Sequence, residues 1–181
     1  AMSLTADGAK LVTAGEDKLA KVWDVVTGKK LLDLPGSAGP LADVSIRDDG
    51  TQVAAAGADM HLHVWQLAAD GPKASKVNLA SPLHSVAFSV DGAKLIAASA
   101  DSHVRTYDSA TMQLLEDIIT AAPATTIAIT PDATGVVASA GNNAVIQQLS
   151  LERLIAAHEG GVTSLAYLPD GTQIVSGGAD N

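Results

Sequence analysis

The chain has 181 residues, 47% of them apolar, with 11 Lys+Arg against 20 Asp+Glu and a formal net charge of -9; that is enough for a substantial core in one or two domain-sized units. The basic residues are scattered and form no clustered face, which excludes a phosphate-tracking nucleic-acid binder, and the absence of cysteine excludes disulfide scaffolds, Cys-based zinc sites and thiol catalysis. No stretch reaches the roughly 18 uninterrupted apolar residues of a membrane helix, and Ala1-Met2-Ser3 starts no signal peptide, so a soluble globular chain without membrane or nucleic-acid partners is expected.

From the start of the chain, Met2 to Leu4 reads as an inner strand. Asp7-Gly8 then predicts a tight hairpin with positive φ supplied by the Asp-Gly pair. Leu11 opens the returning strand, Asp17 marks a second turn, and a third strand ends at Trp23-Asp24. The same columns then return. The hairpin aspartates are Asp7, Asp49, Asp91, a degenerate Asp132-Ala133 copy, and Asp170, at steps of 42, 42, 41 and 38 residues. Three residues before them stand Leu4, Ile46, Phe88, Ile129 and Tyr167, and five before stand Met2, Val44, Val86, Ile127 and Leu165. Small residues (Ser3, Ser45, Ala87, Ala128, Ala166) lie between these columns. Ten after come Asp17, Asp59, Asp101, Asn142 and Asp180; sixteen after come Trp23, Trp65, Tyr107 and Gln148. A period near 40 sustained over so many columns is the mark of a repeat architecture.

The third period shows the unit most clearly. Val86 and Phe88 flank Ala87 in strand alternation, Lys94 to Ala98 fold back, His103 to Tyr107 follow a second turn, and Met112 to Ile118 form the outer strand. Four short antiparallel strands leave no room for a helix. One such sheet cannot bury both faces, so sheets must stack around an axis as a propeller, where small inner-strand residues fit the crowded hub. The repeats divide the chain at approximately 1–36, 37–80, 81–121, 122–157 and 158–181, the last one truncated. The expected fold is all-β, an arc of about four and a half blades not closed within the chain. Such an arc fits a segment of a longer propeller; the alternative is a short chain that closes by pairing with a second copy.

At Lys18-Leu19-Ala20-Lys21-Val22-Trp23-Asp24 the sequence resembles the WD40 repeat family, and Val25 to Lys30 is similar to that family's following turn. Ser85 to Gly92 resembles its inner strand and hairpin, and Val175 to Asp180 its second strand and turn. The departures are Gln66 in place of Asp, Tyr107 in place of Trp, and Gln148-Leu149 in place of the whole dipeptide. The composition looks like bacterial members of the family.

The resemblance implies a structural hydrogen-bond network in each blade: a His before the inner strand, a hydroxyl on the second, an Asp in the turn and a Trp on the third. His158, Ser176 and Asp180 hold three of these places in the last repeat, and Thr13, Asp17 and Trp23 three in the first. Although His158, Ser176 and Asp180 superficially resemble a catalytic triad, they serve the fold and offer no oxyanion site. Asp59 with Trp65, and Asp101 with Tyr107, form incomplete networks, because Ala55 and Ala97 stand where the hydroxyl belongs. His61 and His63 share a strand face, and His103 repeats the place of His61; with no third ligand evident, they read as polar residues of an exposed or half-exposed face. No catalytic residue, metal or cofactor is expected.

Eleven of the 20 acidic residues sit at repeat positions recruited by turn chemistry, so the negative charge is weak evidence for a basic partner. The resemblance implies a noncatalytic scaffold for a protein or peptide. Its contact face carries the turns at Glu16, Ala58, Ala100, Gly141 and Ala179 and the lead-ins at Pro40, Pro82 and Pro123. The alternative is an accessory propeller of a larger bacterial enzyme or electron-transfer protein. The open blade edges also imply self-association.

Overall fold

The computed structural model describes residues 1–130, 134–148, 151–156, 161–168 and 173–180. Among them every regular element is a strand. β1 (Met2–Leu4), β2 (Lys10–Ala14), β3 (Ala20–Asp24) and β4 (Lys30–Leu34) form the first sheet. β5 (Leu41–Ile46), β6 (Gln52–Gly57), β7 (His61–Ala68) and β8 (Gly71–Asn78) form the second. The third comprises β9 (Leu83–Phe88), β10 (Lys94–Ser99), β11 (His103–Asp108) and β12 (Leu114–Ile119). The fourth comprises β13 (Ala124–Ile129), β14 (Gly135–Ala140), β15 (Asn143–Gln148) and β16 (Leu151–Ala156), and β17 (Val162–Tyr167) pairs with β18 (Ile174–Gly178) in a partial fifth. Neighbours in each sheet follow chain order and run antiparallel, so each is a meander and the architecture is an open propeller arc.

The first hairpin turns differ from expectation in one respect. Gly8, Gly50 and Gly92 have φ of 67°, 68° and 68°, but the aspartate before each does not take positive φ. The loop is longer than two residues: Gly8 N bonds to Thr5 O at 2.9 Å, while Thr5 N bonds to Lys10 O at 3.0 Å. This is a type I turn closed by one left-handed glycine, a geometry common in four-residue hairpin loops. The aspartate acts through its side chain instead. Asp7 accepts bonds from Thr5 Oγ1 at 2.6 Å and Ala9 N at 2.9 Å, and Asp91 does the same with Ser89 and Ala93 at 2.5 and 3.0 Å.

Successive blades bury apolar columns against each other. Val44 and Ile46 of β5 pack with Val12 and Val22 of the first blade in one cluster. Val86 and Leu95 pack with Ala54 and Val64, and Ile127 and Ala138 with Ile96 and Val104. The same columns are uncovered at the ends of the arc. Met2 and Leu4 are 75% and 54% exposed where Val44 and Ile46 are each 3%, and Val175 is 56% exposed where Val12, Ala54, Ile96 and Val137 are at most 1%.

Polar side chains also tie the blades at the hub. Ser3 Oγ accepts the Ile46 amide at 3.2 Å and Ser45 Oγ accepts the Phe88 amide at 3.1 Å. Asp43 Oδ2 accepts both Ser85 Oγ at 2.7 Å and Val86 N at 3.0 Å, and Ser85 Oγ in turn accepts the buried Ile127 amide at 3.3 Å. Four consecutive inner strands, β1, β5, β9 and β13, are thereby bonded sideways.

Candidate functional site

The first three blades carry an aspartate in the turn between their second and third strands, and the fourth carries Asn142 there. In the first blade Trp23 Nε1 donates to Thr13 Oγ1 at 2.9 Å, joining two of the three residues assigned to that network. Asp17 faces elsewhere: its carboxylate pairs with Lys21 Nζ and accepts the Leu19 amide. In the second blade the missing hydroxyl at Ala55 is replaced from outside the sheet. Trp65, 1% exposed, donates its indole N–H to the Pro35 carbonyl at 3.0 Å. Asp59 is linked to that indole through His63: its carboxylate oxygens are each 3.1 Å from His63 Nε2, and the His63 ring stacks on Trp65 with centroids 5.7 Å apart at 15°. Asp59 also accepts Ala38 N at 2.8 Å and Ser37 Oγ at 3.3 Å.

In the third blade Asp101 receives Arg105 through both terminal nitrogens, at 3.3 and 2.8 Å, together with the Ser99 hydroxyl. Tyr107 is buried two residues beyond. Burial pushes the Asp101 carboxyl up, but the bonds from Arg105 and Ser99 and the guanidinium charge outweigh it, holding the pKa at about 2 against an ordinary 3.8. For Asp59, burial likewise acts upward and is outweighed by the Ala38 amide and His63, leaving its pKa below 3.8.

A column that sequence reading missed therefore completes these sites. Lys21, His63 and Arg105 each stand fourteen residues after the hairpin aspartate and four after the turn aspartate that they contact. The signal was present in the spacing but becomes visible only when both aspartate columns are aligned. His63 is buried, which corrects the reading of an exposed or half-exposed face, while His61 is half-buried. The turn also supplies the nearby third ligand that the strand spacing did not reveal: Asp59, His61 and His63 each offer a ligand atom within 4.8 Å of the others. His103, at the place of His61, is held by Asp117 at 2.6 Å.

The turns and lead-ins assigned to a contact face are joined by backbone bonds. Ala58 N donates to Pro40 O and Ala100 N to Pro82 O, both at 2.9 Å, and Ala179 N donates to Gly161 O at 3.0 Å. Glu16, Pro40 and Pro123 are exposed and Pro82 half-buried. Ser176 lies on β18 opposite Leu165, with Asp180 just beyond the strand; His158 lies outside the described residues.

The profile of a family described as WD domain, G-beta repeat matches residues 1–24, 28–66, 76–108 and 149–181. The chain belongs to the WD40 repeat family. No curated protein matches it. The matches pass over residues 109–148, yet three of the four strands of the fourth sheet, β13, β14 and β15, form there.

Membership explains the role of the dipeptide's aspartate. Asp24 Oδ1 accepts the Thr27 amide and hydroxyl, both at 2.7 Å, and Asp108 Oδ1 accepts those of Thr111 at 2.7 and 2.8 Å. These side-chain bonds stop the third strand and form the outer turn. Gln66 cannot do this, and β7 and β8 are eight residues each, with Gly71 at φ 116° opening β8 after the turn. WD40 propellers commonly act as noncatalytic platforms for protein interaction. No helix among the described residues is long and apolar enough to cross a membrane.

Proposed function

We propose that this WD40 arc is a noncatalytic scaffold that binds a protein or peptide across the face carrying the β2–β3, β6–β7 and β10–β11 turns and the lead-ins at Pro40, Pro82 and Pro123. The observation that carries this reading is the bonding of the second and third blades' turns to their own lead-ins, Ala58 to Pro40 and Ala100 to Pro82. Loops fixed in this way present several contacts at once with little ordering cost on binding. Beneath them Lys21 pairs with Asp17 and Arg105 with Asp101, which favours a structural use over acid–base chemistry.

Panning a random peptide library against the whole chain tests the proposal. Selected peptides should lose binding when Pro40→Arg and Pro82→Arg are introduced together and keep it when Ala6→Arg is introduced on the opposite edge; the reverse pattern contradicts it. Exposed Met2, Leu4 and Val175 favour a second reading, self-association of copies through the open blade faces. A concentration-independent monomer in sedimentation would count against that reading.

A further inference from the structure

We infer that Asp59, His61 and His63 form a binding site for a divalent first-row metal ion of the zinc type, set under the proposed contact face. Their ligand atoms all lie within 4.8 Å of one another. A tetrahedral zinc with ligand bonds of about 2.0–2.2 Å needs those atoms roughly 3.3 Å apart. His63 Nε2 is 3.1 Å from each Asp59 oxygen, and His61 Nδ1 is 3.6 Å from Oδ2. His61 Nδ1 also lies 2.6 Å from the uncharged carbonyl oxygen of Asp59, so a bound ion would take the place of that contact. A rotation of the His61 ring completes a three-ligand site, and its side chain, 24% accessible, leaves the fourth position to water.

The surroundings fix the carboxylate as a second ligand shell does. Ala38 N and Ser37 Oγ hold Asp59 Oδ2. Gly57 leaves the space that Oδ1 occupies: a Cβ there would collide with that oxygen and lie 3.3 Å from His63 Cδ2. An ion would thus pin the β6–β7 turn to the lead-in of its blade.

The other blades provide an internal contrast. Their turn aspartates face Lys21 or Arg105, permanent cations that repel a metal, and His103 is engaged by Asp117. In the second blade the group facing the aspartate is an imidazole, whose ring nitrogen can ligate a metal. Two nitrogens and one carboxylate suit zinc or cobalt, whereas magnesium and calcium prefer all-oxygen sets.

Calorimetric titration of the whole chain, free of any polyhistidine tag, with zinc chloride should show one ion per chain. Cobalt chloride should produce the intense visible absorption of a tetrahedral site. His61→Ala should weaken binding by ~10-fold or more with unchanged circular dichroism, Gly57→Ala should weaken it too, and His103→Ala should leave it intact. Absence of zinc binding, equal affinity for magnesium, or binding that survives His61→Ala would overturn the proposal.

Discussion

Trp65 reaches out of its own sheet to donate its indole N–H to the Pro35 carbonyl at 3.0 Å, in the segment that leads from the first blade into the second. The ring is 1% exposed and packs with Leu34, Val53 and Ala55. It therefore joins two blades by area and by one bond. Trp65→Ala should cost about 3–5 kcal/mol, the usual range for truncating a buried large aromatic. Trp65→Phe should recover most of that loss, because Pro35 is exposed and its carbonyl can bond to water. Urea unfolding of the two variants measures the difference.

The hub bonds carry a second expectation. Asp43→Ala removes the acceptor for Ser85 Oγ and the Val86 amide, and Ser85 is 4% exposed. Leaving buried donors unmet should cost about 1–3 kcal/mol. Amide exchange should accelerate at Val86, in a blade that does not contain the substitution.

Acid should weaken the third blade through Asp101. Its folded pKa, about 2, lies below the ordinary 3.8, so the carboxylate stabilises the fold above pH 4 and that stabilisation is lost as pH falls from about 4 towards 2. Asp101→Asn should lower the urea midpoint at neutral pH and flatten its pH dependence in that window. An unchanged acid limb in the variant would contradict this assignment.

Gly8 tests the hairpin geometry. It sits at φ 67°, and a Cβ there would meet nothing within 4 Å. Gly8→Ala should therefore cost only the left-handed backbone penalty, about 1 kcal/mol. Asp7→Ala removes the acceptor for Thr5 Oγ1 and Ala9 N; hydrogen exchange at Ala9 should rise in that variant and stay unchanged in Gly8→Ala.

The propeller was legible because its determinants are local and repeated. The hairpin aspartates, the Val/Ile columns and the Trp/Tyr column each recur in register, and β1 and β11 fall where those columns place them. The polar site was only half legible. Asp59 stood out as a turn residue, but its meeting with His63 depends on the carboxylate folding back under Gly57, which strand alternation does not encode. The Pro35 acceptor of Trp65 is likewise a contact between blades. The reading of both Asp7 and Gly8 at positive φ failed because the dipeptide alone does not fix loop length; the bond from Gly8 N to Thr5 O does.

Function by display from one rigid face is tested most directly by site-specific photo-crosslinking in cells that make the protein. A photoreactive residue placed singly at Pro40, Pro82 or Pro123 should give discrete protein adducts, while the same residue at Ala6, Asp48 or Val90 should give none. Adducts confined to the second set, or absent from both, would contradict the account.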